Sequence, residues 1–98
     1  MQLYVIRRRN AWKSPEELEA AAARSRQVGD EEMSADIRWI RSYVVQEDDG
    51  NLGTVCIYQS TSPEAIRAHA ARVGMPADEI TPVADTVVVR PDPVAEAV

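Results

Sequence analysis

Apolar and polar positions alternate with a period of two in four segments of the chain, which is the pattern of half-buried β-strands. Segments 37–46 and 54–60 show it most clearly, and they flank an acidic turn that contains glycine. Residues 2–9 and 79–83 predict two further strands. Pro82 has no amide hydrogen to donate to a neighbouring strand, so the last of these strands belongs at an edge of the sheet.

Two helices are predicted between the strands by their start signals. Segments 14–17 and 62–64 each place a serine, which can cap a helix, before a proline at the first helical position. The apolar spacing of the second helix places His69 on its packed or bordering face. Gly74 followed by Pro76 predicts where this helix ends.

The predicted order of elements is β-α-β-β-α-β, which is typical of the ferredoxin-like fold of the α+β class. Right-handed crossovers give a four-stranded antiparallel sheet in the order 4-1-3-2 with both helices on one face. We expect this domain to span residues 1–90 and residues 91–98 to form a flexible C-terminal tail.

The period of two also divides the apolar side chains of the sheet into two sets. We expect the helices to cover an aliphatic set: Leu3, Val5, Ile40, Val44, Val55 and Ile57. The opposite face would then carry an aromatic set: Tyr4, Ile6, Trp39, Tyr43, Cys56 and Tyr58. An aromatic face left in solvent favours association, so the sequence predicts a homodimer with two sheets face to face, a dimeric α+β barrel.

A ligand pocket is expected between the two sheets of that dimer. Its candidate residues are Tyr4, Trp39, Arg41, Tyr43, Cys56, Tyr58 and His69. Arg41 either stacks on aromatic rings, pairs with a carboxylate or holds an anionic ligand.

Charge and composition exclude several classes of partner. The chain has 98 residues and a formal net charge of −5, which argues against nucleic acid as a partner. No apolar run approaches the length of a membrane span, and the single cysteine is compatible with a cytoplasmic location. The basic run 7–9 is interpreted as a solvated strand end or a set of ion-pair partners, with an anion site as the alternative.

Four segments resemble a family of small bacterial proteins with a nickel-binding member: Trp39–Val44, Cys56–Tyr58, Glu64–Ala70 and Gly74–Ile80. The resemblance covers residues 2–83. It implies ferredoxin-like subunits that form dimeric barrels, and it implies nickel, or another divalent metal, as a ligand.

One position departs from that family, because Arg41 stands where relatives often carry a histidine. An arginine side chain cannot be a metal ligand, so His69 and Cys56 are the remaining nitrogen and sulfur donors. We therefore expect any metal binding to be weak, or to use His69 together with carboxylates such as Asp78 or Glu79.

Three interpretations of function stay open at this point. The first is a dimer that binds a small ligand or a metal ion. The second is a cofactor-free enzyme in which His69, Tyr43 or Tyr58 handles a proton. The third is a structural adaptor without a ligand. The β-prone segment 86–90 is expected to pair with an edge strand of the partner subunit.

Overall fold

Four antiparallel strands form one sheet in the computed structural model of the protein, which describes residues 1–93. They are β1 (Gln2–Trp12), β2 (Ile37–Gln46), β3 (Leu52–Ser60) and β4 (Glu79–Pro82), in the order β2-β3-β1-β4. Helices α1 (Pro15–Gln27) and α2 (Pro63–Val73) follow β1 and β3, and a π-helical turn (Val28–Glu32) continues α1. The predicted ferredoxin-like order is confirmed, with the strand that ends at Pro82 at an edge.

The helix boundaries follow from their capping residues. The Ser14 hydroxyl accepts a hydrogen bond from the Glu17 amide at 3.2 Å, and the Ser62 hydroxyl accepts one from the Ala65 amide at 3.1 Å. Gly74 ends α2 with a φ of 84°, a left-handed conformation that glycine adopts without strain.

Both helices cover the same face of the sheet, and it is the aromatic face. Tyr4, Ile6 and Tyr58 are buried there, and Tyr58 contacts Ser25 of α1 and His69 of α2. The expectation that the helices cover the aliphatic set is wrong. Both faces carry apolar side chains, so the alternation does not identify the face that the helices cover.

A β-bulge in β2 corrects a second expectation. Trp39 pairs with Tyr58, but the next paired residue, Arg41, lies opposite Ile57, so β2 contains one extra residue here. Trp39 faces the helices together with its partner Tyr58, whereas the bulge turns Arg41 and Tyr43 to the other face. The prediction that these three side chains share a face is wrong.

The C-terminal segment runs across the face that the helices leave uncovered. The Val83 amide donates to the Leu3 carbonyl at 2.9 Å. Further along, the Asp92 carboxylate accepts hydrogen bonds from Arg41 and Tyr43, each at 2.6 Å. Residues 86–90 form no strand within this chain, and their pairing with a partner subunit stays a prediction.

The predicted tail lies partly outside the described residues, because these end at residue 93. Within the described part of the chain, no helix is both long enough and apolar enough to cross a membrane.

Candidate functional site: a cavity between the first helix and the sheet

A cavity of about 320 Å³ lies between α1 and the helix-covered face of the sheet. Its wall is mostly apolar, with a few polar groups from the strands. The lining residues are Arg8, Trp12, Pro15, Leu18, Glu19, Ala21, Ala22, Ser25, Trp39, Ser42, Val44, Thr54, Cys56, Tyr58 and Met75. We call this space the helix–sheet cavity.

Small side chains on α1 and irregular strands create the space. Ala21 and Ala22 face the sheet from α1 and leave room that larger residues would fill. The bulge in β2 brings Ser42 and Val44 to the same face as Trp39, so that all three line the cavity. Trp12 reaches it after a register shift in β1, where Asn10 adopts a left-handed φ of 51°. Both tryptophans of the chain therefore line this cavity.

Three side chains of the cavity wall are hydrogen-bonded to one another. The indole Nε1 of Trp39 donates to the Ser42 hydroxyl at 2.8 Å, and that hydroxyl donates to the Cys56 sulfur at 2.9 Å. Cys56 is thus the buried acceptor at the end of a series of side-chain hydrogen bonds that holds the Trp39 ring in place.

A second network joins both helices to the sheet beside the cavity. Ser25 Oγ and Tyr58 Oη share a hydrogen bond of 3.0 Å, and His69 Nε2 donates to the Ser25 carbonyl at 3.0 Å. Burial raises the pKa of the Tyr58 hydroxyl, so the phenol stays protonated. Burial is the main cause that lowers the pKa of His69, and the nearby positive charges of Arg8 and Arg72 lower this pKa further. The imidazole therefore stays neutral.

Arg8 is the unusual residue of the cavity wall, because its side chain is only 1% exposed. Its Nε donates to the Pro76 carbonyl at 2.7 Å, and its guanidinium lies 5.8 Å from the centre of the Tyr58 ring. Its Nη2 is buried without a hydrogen-bond partner, as is the hydroxyl of Thr54 across the strand pair.

The neighbouring arginines behave differently, as the sequence predicted for ion-pair partners. Arg7 pairs with Glu47 at 2.5 Å, and Arg9 pairs with Glu79 at 2.9 Å. No such ion pair holds Arg8 among residues 1–93.

The structure separates the predicted pocket residues into three groups. Trp39, Cys56 and Tyr58 line the helix–sheet cavity. Tyr4 and His69 are buried in the core next to it without lining it. The other two, Arg41 and Tyr43, lie on the uncovered face, in a broad depression of about 1010 Å³ beneath the C-terminal segment.

Sequence reasoning missed Arg8, Thr54 and Trp12 as cavity residues. Strand alternation carried a signal for Arg8, since it continues the series Tyr4, Ile6 that points to the aromatic face. The register shift that brings in Trp12 left no comparable signal in the sequence.

The candidate metal ligands lie in different surroundings. His69 is buried with its Nε2 bonded to a carbonyl, whereas Asp78 and Glu79 are exposed and accept hydrogen bonds from Arg9. Residues 1–93 bring together no group of three or more histidine, cysteine, aspartate or glutamate side chains that could hold a metal ion.

The fold and the cavity define a small ferredoxin-like α+β protein with a hollow beneath its first helix. Residues 4–83 match the family model described as "Nickel responsive protein SCO4226-like", and the chain belongs to this family. The resemblance to this family that was predicted from the sequence is confirmed.

A solved structure supports the fold independently. The crystal structure of SCO4226 from Streptomyces coelicolor A3(2) is similar with a TM-score of 0.68 and 20% sequence identity, covering 87% of this chain and 99% of that chain. At this identity the similarity establishes the fold alone. No protein with a curated description matches the chain.

Proposed function

We propose that this protein binds a small, largely apolar molecule in the helix–sheet cavity. The observation that carries the proposal is the cavity itself, whose volume of about 320 Å³ lies within the range of small-molecule sites, roughly 300–1,000 Å³. Its wall combines aromatic and aliphatic side chains with a few convergent polar groups, as binding sites do.

Binding is favoured over catalysis by the positions of the groups that could move a proton. His69 does not line the cavity, and its Nε2 is already bonded to the Ser25 carbonyl. Tyr43 lies on the opposite face of the sheet. Tyr58 does line the cavity, but its pKa is raised by burial, which makes it a poor base near neutral pH.

Tryptophan fluorescence offers a direct test, because Trp12 and Trp39 both line the cavity. A panel of small aromatic and aliphatic molecules is titrated against the protein, and binding is expected to change the emission and to raise the melting temperature. A panel that changes neither would overturn the proposal.

A matched pair of alanine variants locates the binding site. Ala22→Phe fills the cavity from α1 and is expected to abolish binding, whereas Ala23→Phe adds the same ring at an exposed position of the same helix. Equal binding by both variants would place the ligand elsewhere. Circular dichroism of each variant controls for folding.

We also propose that the protein is a homodimer, formed through the uncovered face of the sheet. The aromatic face first predicted for this role is occupied by the helices. The uncovered face instead offers Leu3, Val5 and Ile57, together with the exposed side chains of Ile40 and Tyr43. Exposed apolar side chains grouped on one face of a sheet favour an interaction site there.

The oligomeric state and one charge insertion test the dimer. Sedimentation of the protein at micromolar concentration is expected to show a dimer, and Ile40→Glu is expected to shift it toward the monomer. Ala35→Glu adds the same charge at an exposed position before β2 and serves as the control. A monomeric protein, or a dimer unaffected by Ile40→Glu, argues against this interface.

Nickel is a second candidate ligand, supported by the description of the family that the chain belongs to. Calorimetric titration with Ni²⁺ tests it, using His69→Ala and the double variant Asp78→Asn/Glu79→Gln. We expect weak binding that depends on the carboxylates. A tight stoichiometric complex lost in His69→Ala alone would contradict this expectation.

A further inference from the structure

We infer that the ligand of the helix–sheet cavity carries a carboxylate, which pairs with Arg8. This inference rests on the function proposed above and specifies the chemical class of the ligand as a small monocarboxylic acid with an apolar body.

The first argument is the unbalanced charge of Arg8. A guanidinium withdrawn from water is costly unless a counter-charge and hydrogen bonds replace its hydration. Arg8 has the carbonyl of Pro76 and the face of the Tyr58 ring, but its Nη2 has no partner. A ligand carboxylate supplies both missing elements, the negative charge and the acceptor.

The second argument is that Thr54, the strand partner of Arg8, also has a buried polar group without a hydrogen-bond partner. Thr54 lies directly across the β1–β3 pair from Arg8, lines the same cavity, and has a buried hydroxyl without a partner. The other side-chain polar groups of the strand wall, on Trp39, Ser42 and Tyr58, are already hydrogen-bonded. Arg8 and Thr54 are partners in the strand pair, so the two residues with unpaired groups belong to the same stretch of the cavity wall.

The charge balance favours a monoanion over a dianion such as a phosphate monoester. The cavity is lined by one cation, Arg8, and by one anion, Glu19, which is exposed to solvent. A second negative charge on the ligand would meet no further cation among the lining residues, which already include Glu19. A carboxylate matches both the single charge and the planar donor fork of arginine.

Access to the guanidinium requires a small movement. Arg8 belongs to the cavity wall, but its Nη2 is buried, so the inference requires the Arg8 side chain to move before Nη2 meets the ligand. The apolar body of the ligand then lies against Leu18, Ala22 and Trp39.

Paired probes separate charge from shape. 4-Phenylbutanoate is compared with 4-phenylbutanamide, and octanoate with octanamide, by tryptophan fluorescence and calorimetry at pH 7. The carboxylate of at least one pair is expected to bind about tenfold to a hundredfold more tightly than its amide, as for a charge-assisted hydrogen bond. Arg8→Met is expected to abolish this preference and Arg8→Lys to retain part of it.

The outcomes distinguish this inference from the proposed function. Amides that bind as tightly as carboxylates, in wild type and in Arg8→Met alike, overturn the role of Arg8 and leave the apolar binding site standing. Probes that bind in neither form overturn the proposed function together with this inference.

Stability without ligand gives an independent readout. If the Thr54 hydroxyl is a ligand donor, Thr54→Val should unfold at the same urea concentration as wild type or at a higher one, because it replaces an unpaired buried hydroxyl by a methyl group. A lower midpoint for Thr54→Val would show that this hydroxyl serves the fold, and the inference would be wrong.

Discussion

His69 of α2 donates a hydrogen bond from Nε2 to the carbonyl oxygen of Ser25 in α1, over 3.0 Å. The bond fixes the tautomer, because a carbonyl only accepts, and it leaves Nδ1 as an acceptor that is buried without a partner. The single histidine of the chain is therefore held neutral inside the core.

Stability is expected to depend on the protonation of His69. Burial lowers its pKa from the usual value of 6.5, so below about pH 6.5 the unfolded state binds a proton that the folded state resists. The contribution is fully present above pH 6.5 and is lost as the pH falls toward the folded-state pKa. The slope cannot exceed about 1.4 kcal/mol per pH unit for one group.

Urea unfolding between pH 5.5 and 8 measures this effect. His69→Phe removes the titrating group and is expected to flatten the slope, although it lowers stability at every pH because the Ser25 carbonyl loses its donor. No other histidine can account for the slope. An unchanged slope in His69→Phe would contradict the assignment.

A double-mutant cycle is expected to show that Ser25 and Tyr58 are coupled. Their hydroxyls share a buried hydrogen bond, so Ser25→Ala or Tyr58→Phe leaves the other hydroxyl unpaired at a cost of roughly 1–3 kcal/mol. Once one partner is gone, removing the second costs less. Urea unfolding should give a double variant more stable than the sum of the single changes predicts, by roughly 0.5–3 kcal/mol, and strict additivity would argue against the bond.

Gly53 is expected to tolerate no side chain. A Cβ at this position would lie 2.6 Å from the backbone carbonyl oxygen of Arg8, closer than van der Waals contact allows. Gly53→Ala should destabilise the protein by about 1–3 kcal/mol, measured by urea unfolding.

Gly50 provides the contrast, because a Cβ there meets no atom within 4 Å although its φ is +86°. The left-handed conformation admits asparagine, so Gly50→Asn should be milder than Gly50→Ala. At position 53 the obstacle is steric, and Gly53→Asn should be at least as harmful as Gly53→Ala. The opposite ranking would contradict the contact with Arg8.

The order of elements could be predicted from local signals, whereas the burial of the two faces could not. Ser14 and Ser62 mark the starts of their helices because their hydroxyls cap nearby backbone amides, and Pro82 marks an edge strand because it has no amide hydrogen. Which face of the sheet is covered depends on the summed packing of Tyr4, Tyr58 and their neighbours against two helices. The alternation of side chains contains no information on that choice.

The candidate site was less predictable for a related reason. The extra residue between Trp39 and Arg41 changes the direction of every later side chain on β2, yet nothing in the sequence marks it. A period of two carried through position 40 placed Tyr43 beside Trp39. The burial of Arg8 was not predicted, because charged side chains are rarely buried without a partner.

The C-terminal segment is expected to contribute to dimerisation. Val87, Val88 and Val89 are 86%, 72% and 78% exposed, although their sequence has high strand propensity. Pairing with an edge strand of the partner subunit would bury them and add main-chain hydrogen bonds, each worth about 1 kcal/mol net. Truncation after Val83 should therefore weaken the dimer, measured by sedimentation equilibrium.

A point substitution distinguishes pairing of this segment with the partner subunit from its packing on its own subunit. Asp92 anchors the segment to Arg41 and Tyr43. Asp92→Asn loosens that anchor but keeps the valines, so the dimer should survive better than after truncation, because the strand remains available to the partner. If the truncated protein keeps the full dimer affinity, residues 86–90 do not pair across the interface, and the sheet faces alone hold the subunits together.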